Sequence, residues 1–353
     1  MVLAVAALVA GCADTAYLLQ SATGHLKLIH AARPLDEWLA DDVTPPTLKQ
    51  RLQLARAVRR FAVDQLKLPN NASYQRFAQL PRRAVVWNVV AAPAYSLTLK
   101  TWCFPVAGCV GYRGYFDEQE AKALADQLRA QGLEASVYGV PAYSTLGWTD
   151  WLGGDPLLST FIHYPEGELA RMVFHEMAHQ VLYVKDDTAF NESFATAVER
   201  LGSAAWLATQ ASPAAQEEYQ AFDARRRAFR ALAAATRNTL KAIYASAPDT
   251  STATGQPDAL KAAAYAEFRQ SYALLKDQWK GDTRYDAWVA NANNAAFGAL
   301  AAYDDWVPAF ESLFRLQGSD WTAFYTVVRH IAELPREERT RQLLHLKATA
   351  NHS

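Results

Sequence analysis

Two histidines four residues apart, His175 and His179, with Glu176 directly after the first, constrain the fold of this chain most. Side chains at positions i and i+4 lie on the same face of an α-helix, so both imidazoles can bind one metal ion if this stretch is helical. A carboxylate at the second position lies beside them and can reach a water on that metal. The sequence therefore predicts a helix over about 166–184 with a metal site on one face.

The residues before the histidines have the pattern of a buried helix. Leu169, Met172 and Val173 recur at helical spacing. Glu166 and Glu168 fall in the first turn, where the helix dipole favours negative charge. The pattern favours a metal-binding helix, and the alternative is that the two histidines are ordinary core or surface side chains.

A metal centre that keeps one position open for water needs a third protein ligand. We expect a turn at 185–187 and a second helix capped by Asp187 or Thr188. Two antiparallel helices joined by a short loop would then place Glu192 level with His179. Glu192 is therefore the predicted third ligand.

Further polar residues of the second helix could support the site. Thr196 and Glu199 lie four and seven positions after Glu192, on the same helix face, and could orient a histidine ring. Glu199 could instead be a solvated helix carboxylate. Asp186 and Asp187 are weaker alternatives for the ligand, because acidic residues in turns usually cap helices.

The rest of the chain predicts an α+β fold that is mainly helical, with a mixed part at about 40–165 and a helical part at about 166–353. The predicted elements before the metal helix are a helix at 45–66, strands at 84–90 and 95–102, a helix at 117–131 and a strand at 133–140. A stretch rich in Ser, Thr, Asp and Pro at 246–257 predicts a surface loop between later helices.

The first twelve residues are apolar, too short for a spanning helix, and typical of a secretory signal. The segment 8–12, Leu-Val-Ala-Gly-Cys, resembles a bacterial lipobox, although no Lys or Arg precedes the apolar run. The resemblance implies a signal peptide at 1–11, cleavage before Cys12 and a lipid on its sulfur. The chain is then expected to be exported and anchored to a bacterial membrane, facing the periplasm. The alternative is a frayed apolar terminus.

Export would place Cys103 and Cys109 in an oxidising compartment. Pro105 and Gly108 favour a turn between them, so a disulfide is possible, and geometry decides whether it forms. The chain has 35 basic and 36 acidic residues and no Lys/Arg run, which argues against nucleic acid as a partner. The expected partners are a peptide substrate and a membrane.

The motif 175–179, followed by Asn-Glu-Ser-Phe-Ala at 191–195, resembles the gluzincin pattern, with a shorter separation between the two parts. The chain also resembles a bacterial family of proposed zinc aminopeptidases that are often lipoproteins, through the stretches 112–116, 138–148 and 161–165. This resemblance implies one zincin-like domain over 12–353, one zinc ion per chain and hydrolysis of peptide bonds.

In zincins a strand before the metal helix usually holds the substrate backbone. Thr145, Leu146 and Gly147 are the candidates here, although a plain turn is the alternative. The resemblance also implies a donor to the oxyanion, for which Tyr143 and Tyr303 are the candidates.

The expected mechanism is metal-assisted amide hydrolysis with Glu176 as general base, and an aminopeptidase is favoured. Glu199 could bind the free amine of such a substrate. Two imidazoles and a carboxylate suit zinc. The competing interpretation is a non-catalytic lipoprotein whose structural zinc has a fourth ligand, either Glu199 or Asp187.

Overall fold

The computed structural model of this protein describes residues 2–104, 108–142, 153–246, 256–301 and 305–350. Within these residues the fold is α+β and mainly helical, which confirms the predicted class. The helices are α1 (Val2–Ala31), α2 (Leu35–Ala40), α3 (Pro46–Asp64), α4 (Glu118–Ala130), α5 (Glu166–Ala178), α6 (Thr188–Thr209), α7 (Pro213–Ser246), α8 (Gln256–Gln278), α9 (Asp286–Ala290), α10 (Asn294–Ala301), α11 (Val307–Leu316), α12 (Trp321–Glu333) and α13 (Arg336–Ala350). The strands are β1 (Ala32–Pro34), β2 (Arg76–Ala78), β3 (Val86–Pro93), β4 (Trp102–Phe104), β5 (Gly108–Val110), β6 (Arg113–Tyr115), β7 (Leu133–Val140) and β8 (Leu157–Leu158).

The sheet β6-β3-β7 lies between two helices, and β3 is its central strand. Side chains alternate between the two faces of a strand. Val89 and Ala91 of β3 therefore pack against α4, whereas Val90 and Ala92 pack with Ala295 of α10. Burial on both faces explains why β3 reads as a continuous run of apolar residues.

The second sheet, β1-β2-β8, leads the chain into the helix that carries the histidines. Strand β2 pairs with β1 in the antiparallel direction and with β8 in the parallel direction. Its Phe77 lies opposite Arg33 of β1 and Leu157 of β8. Strand β8 ends eight residues before Glu166, where α5 begins. The chain therefore passes from this sheet into α5 through a short connection.

The largest hydrophobic core surrounds α5 and α6 and includes residues of α2, α3, α11, α12 and α13. Phe174 of α5 lies 6.1 Å from the Phe61 ring of α3, and Phe194 of α6 lies 5.7 Å from the Phe310 ring of α11. Both helices are thus packed on several sides, and we expect their side chains to be held rigidly.

A separate hydrophobic core, in which about half of the residues are aromatic, joins α7, α8, α9 and α10. Its centre is Phe229, which stacks on Tyr285 at 3.9 Å and meets Trp288 edge-on at 5.2 Å. Part of the high aromatic content of this chain therefore stabilises a core.

Several predicted elements are confirmed. The helix expected at 45–66 is α3, and the helix expected at 117–131 is α4, whose N-cap Asp117 accepts hydrogen bonds from two backbone amides. Two expected strands are β3 and β7, which pair over eight residues. The loop expected at 246–257 stays a prediction, because residues 247–255 lie outside the described ranges and residues 246, 256 and 257 belong to α7 and α8.

The strand predicted at 95–102 is wrong, because only its last residue belongs to a strand. The Ser96 hydroxyl accepts a hydrogen bond from the Thr98 amide at 3.0 Å, which bends the chain locally. Leu99 packs in the core shared by β3 and α10, and Gly298 of α10 closely approaches its side chain. Packing of alternate leucines on a helix, and not strand pairing, accounts for the alternating pattern.

Strands β4 and β5 form a hairpin, here called the disulfide hairpin (102–104 and 108–110), in which Cys103 and Cys109 are bonded through their sulfurs. The Phe104 ring of this hairpin stacks on Tyr17 of α1 at 5.2 Å. Cys12 lies earlier in α1. Across the described part of the chain, no helix combines the length and apolarity needed to cross a membrane.

Candidate metal centre

The three predicted ligands, His175, His179 and Glu192, are brought together by α5 and α6. Their nearest ligand atoms all lie within 4.8 Å of one another. Nε2 of His175 is 3.2 Å from Nε2 of His179 and 3.4 Å from Oε2 of Glu192, and the remaining distance, from His179 to Glu192, is 3.8 Å. The three ligand atoms therefore form a triangle with sides of similar length.

The size of this triangle fits one small cation. Nitrogen and oxygen ligands lie about 2 Å from zinc, and tetrahedral geometry then separates them by about 3.3 Å. The separations of 3.2, 3.4 and 3.8 Å in the structure are close to that value. Two imidazoles and one carboxylate, all largely buried, are also a suitable donor set for a divalent ion. The residues present therefore fit a zinc ion.

The end of the first helix differs from the prediction. Helix α5 ends at Ala178 and His179 is its C-cap, whereas the sequence suggested a helix as far as Val184. The Asn191 side chain accepts from the Val184 amide and donates to the Val184 carbonyl, both at 2.8 Å. Because Asn191 binds these backbone groups, they are not free to continue a helix.

The loop between the two helices is held from outside as well. Asp187 caps α6 by accepting from the Phe190 amide, and Arg339 of α13 donates two hydrogen bonds to its other oxygen at 2.8 and 3.0 Å. Asp186 accepts from the Cys109 amide of the disulfide hairpin. The structure therefore gives both aspartates roles in fixing the loop.

Glu199 supports the first histidine, as its position on α6 suggested. Its Oε2 lies 2.8 Å from Nδ1 of His175, and its Oε1 accepts from Nε of Arg171 at 2.8 Å. Because Glu199 is engaged on both oxygens, it is not placed to bind a substrate amine. Thr196 is buried one turn earlier, and its role stays a prediction.

A chain of buried charges continues from this carboxylate towards α7. Arg171 also donates to Glu168 at 3.5 Å, and Arg226 of α7 donates two hydrogen bonds to Glu168 at 2.9 and 2.7 Å. Alternating signs let each buried charge offset the desolvation of its neighbours. The sequence analysis missed Arg171, although its position four residues before His175 puts both on one helix face.

The pKa values of the three candidate ligands are shifted in different directions. Burial lowers the pKa of His175, but hydrogen bonds to Glu192 and Glu199 outweigh burial and raise it to about 10. Burial lowers the pKa of His179 to about 4. Burial raises the pKa of Glu192, but the two nearby histidines outweigh it and hold the pKa below its usual value. Without metal, His175 is therefore protonated at neutral pH and donates hydrogen bonds to Glu192 and Glu199.

Glu176 follows the first ligand on α5 and has the properties of a base that works near neutral pH. Burial raises its pKa to about 7, with smaller contributions from Glu192 and Asp155 that oppose the effect of His175. A carboxyl group with a pKa near the working pH can both accept and return a proton.

Several aromatic hydroxyl groups surround the third ligand. The carboxylate of Glu192 contributes to the raised pKa of Tyr112, Tyr138 and Tyr183, after the larger effect of burial on each. The sequence analysis did not predict these residues as part of the site, because they come from β7 and two loops.

The segment 71–75 contacts the end of the metal helix. The side chain of Gln180, directly after His179, donates to the Ser73 hydroxyl at 3.0 Å and accepts from the side-chain Nδ2 of Asn71 at 2.7 Å. Sequence reasoning missed this segment, which carries no recognisable motif and lies more than 100 positions away. The predicted substrate and oxyanion residues Tyr143, Thr145, Leu146, Gly147 and Tyr303 lie outside the described residues.

Comparisons with known proteins give the family of this chain. Neither the curated proteins nor the solved structures contain a match. A family described as "Putative aminopeptidase" matches residues 16–343, which is most of the chain and includes the whole metal centre. The expected membership of an aminopeptidase family is therefore confirmed in its coarser form, and this chain belongs to the family described as "Putative aminopeptidase".

Proposed function

We propose that this protein is a zinc metallopeptidase, with one zinc ion per chain, that acts as an aminopeptidase. The observation that carries the proposal is the triangle of His175, His179 and Glu192, with Glu176 beside it as a base. Membership of the family described as "Putative aminopeptidase" supports peptide hydrolysis as the reaction. The pair of helices α5 and α6 supports a zincin-like arrangement of the site.

His175, His179 and Glu192 would hold the zinc ion, which would supply a Lewis acid able to lower the pKa of the attacking water and to polarise the scissile carbonyl. Glu176 takes the proton of the attacking water and returns it to the leaving amine. Glu199 accepts a hydrogen bond from Nδ1–H of His175, which leaves Nε2 of that ring as the metal-binding atom. The neighbouring Arg171 keeps the Glu199 carboxylate charged.

The competing function is a structural zinc site in a non-catalytic lipoprotein. That site would need a fourth protein ligand. Among the described residues, the metal-binding group contains three side chains only. Glu199 and Asp187, the two predicted candidates for a fourth, are engaged by arginines. These contacts favour an open position, and so favour the enzyme.

The proposal for location follows the N-terminal sequence. Lipid attached to Cys12 would hold the catalytic part at the surface of a bacterial membrane, facing the periplasm. The disulfide between Cys103 and Cys109 suits an oxidising compartment. The proposed partners are a peptide substrate and this membrane, and no nucleic acid.

The test combines metal content with hydrolysis in the wild type and in Glu176→Gln. We expect about one zinc per chain in both proteins, and release of the N-terminal residue from unblocked peptides by the wild type alone. Glu333→Gln, which changes an exposed carboxylate of α12, is the matched control and is expected to retain full activity.

A panel of N-acetylated peptides of the same sequences distinguishes exopeptidase from endopeptidase activity. Equal cleavage of blocked and free peptides would contradict the aminopeptidase assignment but not the metallopeptidase. Zinc in all three proteins with no cleavage of either panel would favour the structural site.

A further inference from the structure

Tyr74 is a buried residue of the segment that contacts the end of the metal helix. Its side chain is 1% exposed, and its hydroxyl oxygen has no hydrogen-bond partner in the part of the chain that the structure describes. A buried polar group without a partner loses its hydration without compensation. Native proteins rarely keep such a group, and a role in a functional site is one of the common reasons.

The backbone of Tyr74 is also in an unfavourable conformation. Its φ is +63°, in the left-handed region that a bulky side chain seldom adopts. The surrounding contacts impose this conformation: the Tyr74 amide donates to the Asp155 carbonyl at 2.7 Å, and Arg59 donates to the Ser73 carbonyl at 2.7 Å. Strain that is held in place by neighbouring contacts is typical of functional sites.

The Tyr74 phenol lies close enough to Glu176, the proposed base, for the charge of that carboxylate to act on it. The preceding residue, Ser73, accepts a hydrogen bond from Gln180, which lies in the turn directly after the metal helix and four residues after Glu176. Segment 71–75 therefore contacts the end of the metal helix, close to the turn that carries the proposed base. The negative charges of Glu176 and Asp155 act on the Tyr74 phenol and, together with its burial, keep it protonated.

We propose that Tyr74 is a positioning residue for Glu176, to whose carboxylate its hydroxyl donates a hydrogen bond, directly or through one buried water, when substrate is bound. A carboxylate that serves as a base must present one oxygen to the attacking water. A donor on the other oxygen fixes that orientation. The proposal rests on the proposed peptidase function, and it explains why an unfavourable backbone and an unpaired hydroxyl persist at this position.

The test is Tyr74→Phe, which removes only the hydroxyl oxygen. We expect kcat for an unblocked peptide to fall by about 10–100-fold, KM to change by less than about twofold, and zinc content to stay the same. The thermal midpoint Tm is expected to stay the same or to rise, because an unpaired buried group has been removed.

Tyr325→Phe is the matched control. Tyr325 is equally buried, but its hydroxyl donates to the Leu66 carbonyl at 2.9 Å and lies outside the metal centre. We expect this control to lower Tm by about 2 °C or more with kcat unchanged, because it leaves a buried carbonyl without its partner.

Three results would overturn the role of Tyr74 alone, in an active wild type: unchanged kcat in Tyr74→Phe, loss of zinc from it, or a fall in Tm like that of the control. Unchanged kcat would mean that the reaction does not use the hydroxyl, loss of zinc that the hydroxyl acts on the metal, and a fall in Tm that it stabilises the fold. A wild type that binds zinc but cleaves no peptide would instead overturn the proposed function, and this inference with it.

Discussion

Oε2 of Glu199 lies 2.8 Å from Nδ1 of His175, so the second helix both supplies a ligand and orients one on the first helix. Replacing Glu199 by Gln removes the charge and one acceptor for Arg171. We expect zinc affinity to fall about 10–100-fold, as for other partners of metal-binding histidines. Competition with a chromogenic chelator measures this, with Glu333→Gln as control. An unchanged affinity would show that the contact does not orient the ring.

Zinc binding is expected to release a proton. The pKa of His175 is raised to about 10, because its hydrogen bonds to Glu192 and Glu199 outweigh the opposing effect of burial. At neutral pH His175 is then protonated in the metal-free protein, and zinc must displace that proton. The association constant should therefore rise about tenfold per pH unit between pH 6 and 9. Calorimetry in buffers of different ionisation enthalpy counts the protons released.

The control for this experiment is Glu199→Gln. Losing one of the two carboxylates lowers the pKa of His175, so the dependence of affinity on pH should flatten at a lower pH than in the wild type. Identical slopes in both proteins up to pH 9 would contradict the assigned cause.

Arg171 is expected to matter for stability more than for chemistry. It is buried between Glu199 and Glu168, so Arg171→Met leaves two carboxylates without their shared partner. We expect the free energy of unfolding to fall by about 3–5 kcal/mol, measured with urea. Arg171→Lys should recover part of this loss, since lysine keeps the charge but cannot donate two hydrogen bonds to Glu199 as the Nε and Nη2 atoms of Arg171 do. Equal stability of the Met and Lys variants would show that charge is not the cause.

Asn191 is expected to fix the loop between the ligands. Asn191→Ala leaves the buried Val184 amide without a partner and leaves the Val184 carbonyl only the hydrogen bond from the Asp187 amide at 3.4 Å, which should cost about 1–3 kcal/mol of unfolding free energy. Asn291→Ala is the matched control, because its side chain donates only to an exposed backbone carbonyl in α9. Urea unfolding of the metal-free proteins measures both, and a similar small loss in each would contradict the assigned role.

The ligand set could be predicted because its geometry is local. His175 and His179 share a helix face by their spacing, and Glu192 and Glu199 follow at fixed positions on the next helix. A short connection leaves few ways to arrange two such helices. This is why residue spacing alone could predict that these three side chains converge. In the structure their ligand atoms lie within 4.8 Å of one another.

The supporting residues could not be predicted in this way. Ser73 and Arg339 contact residues next to the ligands from sequence distances of more than 100 positions, and no periodic pattern encodes those contacts. The early end of α5 could not be predicted because helical periodicity continues past Ala178, and the contact of Asn191 with Val184 is not encoded in that pattern. The prediction of a strand at 95–102 was wrong for a related reason, since alternating leucines can pack on a helix as well as in a sheet.

The contact between Asp187 and Arg339 has a consequence for the order of assembly. Asp187 begins the helix that carries Glu192, and Arg339 belongs to α13, which a ribosome makes more than 140 residues later. A nascent chain that has exposed all three ligands still lacks the arginine that holds their connecting loop. The ligand geometry of the centre is therefore completed only after α13 has been synthesised and has docked, late in the folding of this chain.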